Sequence, residues 1–213
     1  MYYVILIDFS GTLAKHREAV KTLFEELDHP FFKERGFAGT EEELRGVFRE
    51  VNKKIRMKEN KQGDFTLEVA KALGLDVSEE DAVKKEREFD RRYVEIIEAV
   101  EGAVEGLRKL LKVDDLVLLT NGACRRVIPA VEKLGFEGFF KQIICLGGTG
   151  KTKSHGELFR KLRRMGAWVI IGDNPKKDGI AERYGITFID VRVGWPTAVR
   201  LVKGLRKDKR LKA

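Results

Sequence analysis

The sequence predicts an α/β protein built on a doubly wound parallel sheet, with an all-helical segment inserted after the first strand. Three observations carry this. Short apolar runs recur along the chain: Tyr3–Ile7, Leu116–Leu119, Ile143–Leu146, Trp168–Ile171 and Thr187–Asp190. Amphipathic stretches of helical length lie between the later runs, at 124–134, 155–165 and 176–184. Residues 14 to about 100 interrupt this rhythm and hold no convincing strand. Strand alternating with helix implies a parallel sheet wound on both faces, whose strands are buried on both sides and read as continuous apolar runs.

Each element has a local reason. Tyr3-Val-Ile-Leu-Ile7 is apolar without alternation and ends in Asp8, as a central parallel strand does. Gly135, Gly166 and Gly185 follow the three amphipathic stretches, where the left-handed residue that closes a helix is most often glycine. Within the insertion, Thr40-Glu-Glu-Glu43 and Ser78-Glu-Glu-Asp81 resemble capping-box starts. Helical periodicity follows each, through Leu44, Val47, Phe48, Val51 and Ile55, and through Phe89, Tyr93, Ile96 and Ile97. Gly102 marks the return to the sheet.

Composition narrows the class. The 213 residues, 43% of them hydrophobic, suffice for one sizeable α/β core with a smaller accessory unit. No run approaches the roughly 18 apolar residues of a membrane helix. The opening residues have neither a basic leader nor a small-residue cleavage site, so a cytoplasmic location is expected. Cys124 and Cys145 form no C-x-x-C pair and are expected as free thiols. The net charge of +8 is partly local to the basic tail Lys203–Lys212. The remainder mixes Lys, Arg and Glu densely, and the chain has only two Gln and four Asn, a pattern of heat-adapted surfaces. A solvated surface is favoured over a nucleic-acid partner, and the positive field also suits an anionic substrate. No feature sets an oligomeric state.

Four constellations can carry chemistry. Asp8-Phe-Ser10-Gly11-Thr-Leu13 follows the first strand, at the edge where parallel sheets place ligands. A carboxylate there can be a nucleophile, a metal ligand or a simple cap. Thr120-Asn121-Gly122 follows the second strand and can hold an anion on a hydroxyl, an amide and backbone N–H groups, or form a plain turn. Gly147-Gly-Thr-Gly-Lys151-Thr-Lys153 is not a Walker loop, because Cys145 stands where the opening glycine belongs. Either lysine can face a phosphate. Gly172-Asp173-Asn174-Pro-Lys-Lys-Asp178 ends the fourth strand with two carboxylates, a hard-oxygen set that suits Mg²⁺ if it meets Asp8.

Asp, then Thr-Asn, then Lys, then Gly-Asp-x-x-x-x-Asp, each after a strand, resembles the haloacid dehalogenase-like hydrolase superfamily. The likeness runs from Tyr3 to about Asp190, and the spacing Lys153-Ser-His-Gly-Glu-Leu-Phe159 favours Lys153 over Lys151. The resemblance implies a Rossmann-like core at 1–13 and 101–213, with a helical cap domain at 14–100. It also implies an enzyme, a phosphatase acting on a small phosphorylated substrate through an aspartyl-phosphate on Asp8. Thr120, Asn121 and Gly122 would hold the phosphoryl oxygens, and Lys153 would offset the negative charge. Mg²⁺ would sit on Asp8, the Ser10 carbonyl and Asp173, supported by Asp178 and Asn174.

One position departs from the family pattern. Ser10 stands where family phosphatases carry a second Asp that protonates the leaving oxygen and later activates water. A serine hydroxyl titrates far from neutral pH and does this poorly. Three readings follow: a slow phosphatase, a member of a branch without this Asp such as phosphonoacetaldehyde hydrolases or P-type ATPases, or a weakened phosphate-binding protein. The phosphonate reading needs a Schiff-base lysine from the cap, with Lys53, Lys54, Lys58 and Lys61 as candidates on what reads as a solvated face.

Overall fold

The structure, a computed structural model, describes residues 3–211. Five parallel strands form one sheet: β1 (Val4–Ile7), β2 (Asp115–Thr120), β3 (Gln142–Cys145), β4 (Ala167–Gly172) and β5 (Thr187–Asp190). Their order is β3-β2-β1-β4-β5, so β1 is central and the winding reverses direction beside it. Such a reversal opens a crevice at the carboxyl ends of the strands. All five apolar runs of the sequence are strands.

Alternation along the strands explains why both faces are covered. Ile5, Ile7, Leu116, Leu118, Val169 and Ile171 are buried in the larger cluster. Leu6, Val117, Leu119 and Ile170 are buried in a smaller cluster on the other face. The larger cluster takes residues of α6 (Ala103–Leu111), α7 (Cys124–Lys133) and α9 (Trp195–Leu211). The smaller takes Phe159 and Leu162 of α8 (Gly156–Arg164). The stretch expected as a helix at 176–184 is instead a turn followed by a 3₁₀ helix, Gly179–Tyr184. Pro175 and Gly179 leave too few good helix formers for a longer α-helical run. As far as Leu211 the basic C-terminal run is part of α9, with Lys212 outside the described residues, and Arg206 pairs with Asp114 at 2.9 Å.

Between β1 and β2 the chain is helical throughout: α1 (His16–Leu23), a π turn at Phe24–Asp28, α2 (His29–Glu34), α3 (Glu41–Ile55), α4 (Asp64–Leu73) and α5 (Glu79–Ile96). Thr40 and Glu43 form a reciprocal capping box, and Ser78 caps α5 through the Asp81 N–H. The insertion has its own apolar cluster of Phe24, Phe32, Leu44, Val51, Val69 and Ala70. Its two crossings to the sheet are strapped together. The Lys15 N–H donates to the Glu98 carbonyl at 2.9 Å, and the Val100 N–H to the Leu13 carbonyl at 2.8 Å. Among the described residues no helix is long and apolar enough to cross a membrane.

The cysteines correct the expectation of free thiols: Cys124 and Cys145 form a disulfide, with Cα atoms 5.4 Å apart. Strand register makes it. Cys145 is the β-ladder partner of Thr120, and Cys124 opens the helix four residues further on, so both reach the same sheet edge. No sequence spacing signals that proximity. The bond closes a loop with a sequence separation of 21 residues, a constraint on the unfolded chain of roughly 3 kcal/mol. Reduction should therefore lower Tm by several degrees in a thermal melt. The double variant Cys124→Ser/Cys145→Ser should melt equally low and ignore the reductant.

Candidate active site

The crevice beside β1 collects the charged residues of the strand ends. Asp8 follows β1 directly and is buried, its N–H tied to the Ile171 carbonyl at 2.9 Å. Lys153 is equally buried. Its Nζ donates to Asp8 Oδ1 and, at 2.8 Å, to Asp178 Oδ1. Lys151, the rival lysine, is exposed. Asp173 is half-buried and lies beside the same group. Ligand atoms of Asp8, Asp173 and Asp178 all fall within 4.8 Å of one another.

Glycine makes this crowding possible at two points. Gly11 has φ 79°, and a Cβ there would overlap the Asp173 carboxylate. A Cβ on Gly172 would overlap the Asp178 carboxylate. Both Asp residues approach bare backbone.

The loop after β2 faces the same crevice. Thr120 is buried and its Oγ1 accepts the Gly122 N–H at 3.1 Å, which leaves the hydroxyl hydrogen to donate elsewhere. Asn121 Oδ1 accepts the Lys153 N–H at 3.0 Å. That bond ties the anion loop to the lysine loop, as does the Gly147 N–H to the Gly122 carbonyl at 3.1 Å. Ser10 lies between Asp8 and Gly11 in the turn and is partly exposed. Asn174 is turned to another task, its Oδ1 accepting the N–H groups of Lys176 at 3.1 Å and Lys177 at 3.3 Å.

Three further side chains bear on the site, of which the sequence reading singled out only His16, as a substitute base should Ser10 not limit turnover. Thr12 donates to Asp8 Oδ2 at 3.4 Å. Arg17 approaches Asp173 at 3.7 Å from the start of the insertion. His16 bonds Tyr93 Oη through Nδ1 at 2.9 Å. Thr12 stood inside the quoted motif, while the other two depend on how the insertion folds back.

The electrostatics show an excess of negative charge. Burial pushes Asp8 up to about 6; Lys153 opposes this, while Asp178 and Asp173 reinforce it. Burial also raises Asp173, with Asp178 adding to it and Arg17 opposing. Burial would lower Lys153, but Asp8 and Asp178 outweigh it and hold the ammonium above its ordinary range. His16 is pushed down to about 4, by burial first and then by Arg126, Arg56, Lys177 and Arg17, so it is neutral at pH 7. Three carboxylates against one buried lysine, all offering hard oxygen, fit a divalent cation such as Mg²⁺.

These shifts set the sign of the pH effect. A carboxyl whose folded pKa is raised favours the protonated form, so metal-free stability falls as pH rises from the ordinary 3.8 of Asp8 through about 6. A cation competes with those protons. Mg²⁺ at about a hundredfold excess over Kd adds about 2.7 kcal/mol, roughly 5–10 °C in a chain of this size. The Tm gain from Mg²⁺ should be larger at pH 7.5 than at pH 5 in differential scanning fluorimetry. Asp173→Asn should remove most of it, and an undiminished gain in that variant would exclude Asp173 as a ligand.

A central-strand carboxylate, a buried lysine and an acidic pair at the next strand end thus meet at one crevice of a doubly wound sheet. A family model for haloacid dehalogenase-like hydrolases matches residues 2–181, and the chain belongs to that family. Similar solved structures include the HAD-hydrolase YfnB from Bacillus subtilis bound to magnesium, at 19% identity and TM-score 0.64, over 88% of this chain and 87% of that one. A HAD phosphatase from Thermococcus onnurineus is also 19% identical, at TM-score 0.62, over 89% and 86%. L-2-haloacid dehalogenase from Xanthobacter autotrophicus, with chloropropionic acid covalently bound, is 16% identical at TM-score 0.62, over 89% and 77%. Comparison with curated proteins finds no match.

Proposed function

We propose that this chain is a Mg²⁺-dependent phosphatase that cleaves small phosphate esters through an aspartyl-phosphate on Asp8. The supporting observation is the buried Asp8–Lys153–Asp178 group, with Asp173 within ligand reach and an anion-accepting loop at Thr120. The relatives of similar fold include both a phosphatase and a dehalogenase, so the fold alone does not choose the chemistry. The acidic cluster favours the metal-assisted phosphoryl reaction.

In this reading the core spans 1–13 and 101–213 and the cap 14–100. Asp8 attacks phosphorus, the ester P–O bond breaks, and the departing oxygen takes a proton. Water then cleaves the aspartyl-phosphate, releasing inorganic phosphate and restoring Asp8. The Thr120 hydroxyl and the amide nitrogen of Asn121 donate to the phosphoryl oxygens, beside the Gly122 backbone. Lys153 keeps Asp8 ionised and neutralises part of the incoming charge. Asp8, the Ser10 carbonyl, Asp173 and Asp178 would hold Mg²⁺, which supplies Lewis-acid stabilisation of the phosphoryl oxygens. Asn174 supports the loop that presents them.

Cleavage of a C–P bond through a cap lysine has less support. Lys53 and Lys61 are ion-paired at the surface with Glu50 and Glu79, and Lys54 and Lys58 are exposed. The test is a screen of phosphorylated metabolites with Mg²⁺, run beside phosphonoacetaldehyde and 2-chloropropionate. Metal-dependent release of inorganic phosphate from esters, with the other two inert, is expected. Turnover of a control and of no ester would overturn the reading.

A further inference from the structure

The two loops that face the phosphoryl group are joined by a covalent bond. Thr120-Asn121-Gly122 leaves the end of β2, and the loop that carries Lys153 leaves the end of β3. Cys145 is the last residue of β3 and the register partner of Thr120, and Cys124 opens α7 two residues past Gly122. Their disulfide therefore brackets the anion loop. It runs from the strand partner of the first residue to the helix that follows the last.

Weaker ties run beside it. The Leu146 N–H donates to the Thr120 carbonyl at 2.9 Å, the Gly147 N–H to the Gly122 carbonyl at 3.1 Å, and the Lys153 N–H to Asn121 Oδ1 at 3.0 Å. The two backbones also touch. A Cβ on Gly147 would stand 2.5 Å from the Ala123 nitrogen. Each anion donor of the loop is thus placed by the segment packed against it.

That segment hangs on the weakest part of the sheet. β3 is the edge strand, with β2 on one side, and none of its four residues is fully buried. Elements with few buried contacts open locally at a lower free energy than the rest of a domain. Partly exposed hydrogen bonds hold such an edge weakly, because water competes for the same groups. The disulfide is the tie that does not fray, and it is within reach of solvent: Cys124 is exposed and Cys145 half-buried.

The metal side has separate support. Asp8 follows β1 at the centre of the sheet, and Asp173 and Asp178 follow β4. Lys153 is fixed by its own bonds to Asp8 and Asp178, whatever happens at Cys145. Slack released at the edge therefore falls on Thr120–Ala123 and on Leu146–Gly147, and the acidic cluster keeps its partners.

We infer that the Cys124–Cys145 disulfide is a positioning element for the anion loop, so that the oxidised chain holds phosphate tightly and the reduced chain holds it weakly. The inference rests on the phosphatase reading for the ligand that this loop takes. A dithiol reductant switches the state in balance. One of its thiolates bonds to one cysteine sulfur and releases the other cysteine as a thiolate; its second thiolate then displaces the first. The reductant leaves as a cyclic disulfide, and both cysteines end as thiols.

Titration calorimetry with inorganic phosphate in saturating Mg²⁺ tests this on the full chain. One sample is oxidised, and the other is reduced with dithiothreitol and freed of it under nitrogen. Both are kept well below their melting points, with folding checked by circular dichroism. The reduced form should bind phosphate about tenfold more weakly, the worth of one charge-assisted hydrogen bond lost from the loop. Mg²⁺ alone should bind both forms equally, which a general loosening of the fold would not allow. Reoxidation should restore phosphate affinity. Cys124→Ser/Cys145→Ser should match the reduced form and ignore dithiothreitol; the reduced and reoxidised parent carries the test if that variant does not fold. Equal phosphate affinity in the two forms, or Mg²⁺ binding that weakens in step with phosphate, would overturn the inference. Hydrolysis of nitrophenyl phosphate by the oxidised chain reports separately on the chemistry. Turnover with redox-independent phosphate binding defeats this inference alone. Redox-dependent phosphate binding without turnover of any ester defeats the hydrolytic reading alone, and an oxidised chain that binds no phosphate defeats both.

Discussion

Asp8→Asn should abolish hydrolysis of nitrophenyl phosphate, by at least about 10⁴-fold, while the protein stays folded. Removing the group that forms the covalent intermediate takes away the reaction path, and losses of that order or larger follow when a nucleophile is deleted. The fold should tolerate the change. Asn keeps the shape, and Lys153 retains its bond to Asp178 at 2.8 Å. Asp8 bears its charge at a cost, since burial raises its pKa to about 6. At pH 7 without metal, the Asp8→Asn variant, neutral at this position, should melt no lower than the parent. With metal it should gain less, because one carboxylate of the cluster is gone. Circular dichroism melts and a continuous nitrophenol assay check both halves. Activity near that of the parent would place the chemistry elsewhere.

Ser10→Asp should raise the steady-state rate by roughly 10²–10⁴-fold, the usual worth of a positioned acid–base group. Nitrophenolate leaves without a proton, so Asp8 can be phosphorylated readily. Every aspartyl-phosphate still needs a base to activate water, and a serine hydroxyl orients water without taking its proton efficiently. Rapid mixing of the parent should therefore show a burst of nitrophenol near one equivalent per site, followed by a slow phase. The variant should shrink the burst as its slow phase accelerates. No burst in the parent, with no gain in the variant, would clear Ser10 as the bottleneck. His16 would be the next group to test, since it is neutral at pH 7 and lies at the start of the insertion.

The strands were legible because a parallel strand covered on both faces has no polar positions, so Tyr3–Ile7 and Trp168–Ile171 stand out against a charge-rich chain. The residues at their ends were legible for the same reason: Asp8, Thr120 and Asp173 each follow an apolar run. Lys153 needed more, since Lys151 shares its loop: the spacing to Phe159, read through the family resemblance, favoured it, and the fold shows it buried on Asp8 while Lys151 is exposed. Within the insertion the caps at Thr40 and Ser78 marked α3 and α5, whereas α1, α2 and α4 lack a side-chain cap. The disulfide was hidden because Cys124 and Cys145 meet through strand register. Arg17 was hidden because it approaches Asp173 only once the insertion folds back over the strand ends.

In the proposed mechanism everything turns on Asp8 carrying the phosphoryl group. Acid quenching the full chain with Mg²⁺ and nitrophenyl phosphate during the burst, followed by peptide mass spectrometry, tests this directly. One added phosphoryl group is expected on the peptide containing Asp8, lost on treatment with hydroxylamine as an acyl phosphate is, and absent from Asp8→Asn. Steady turnover with no phosphorylated peptide, or with the label on another residue, would contradict it.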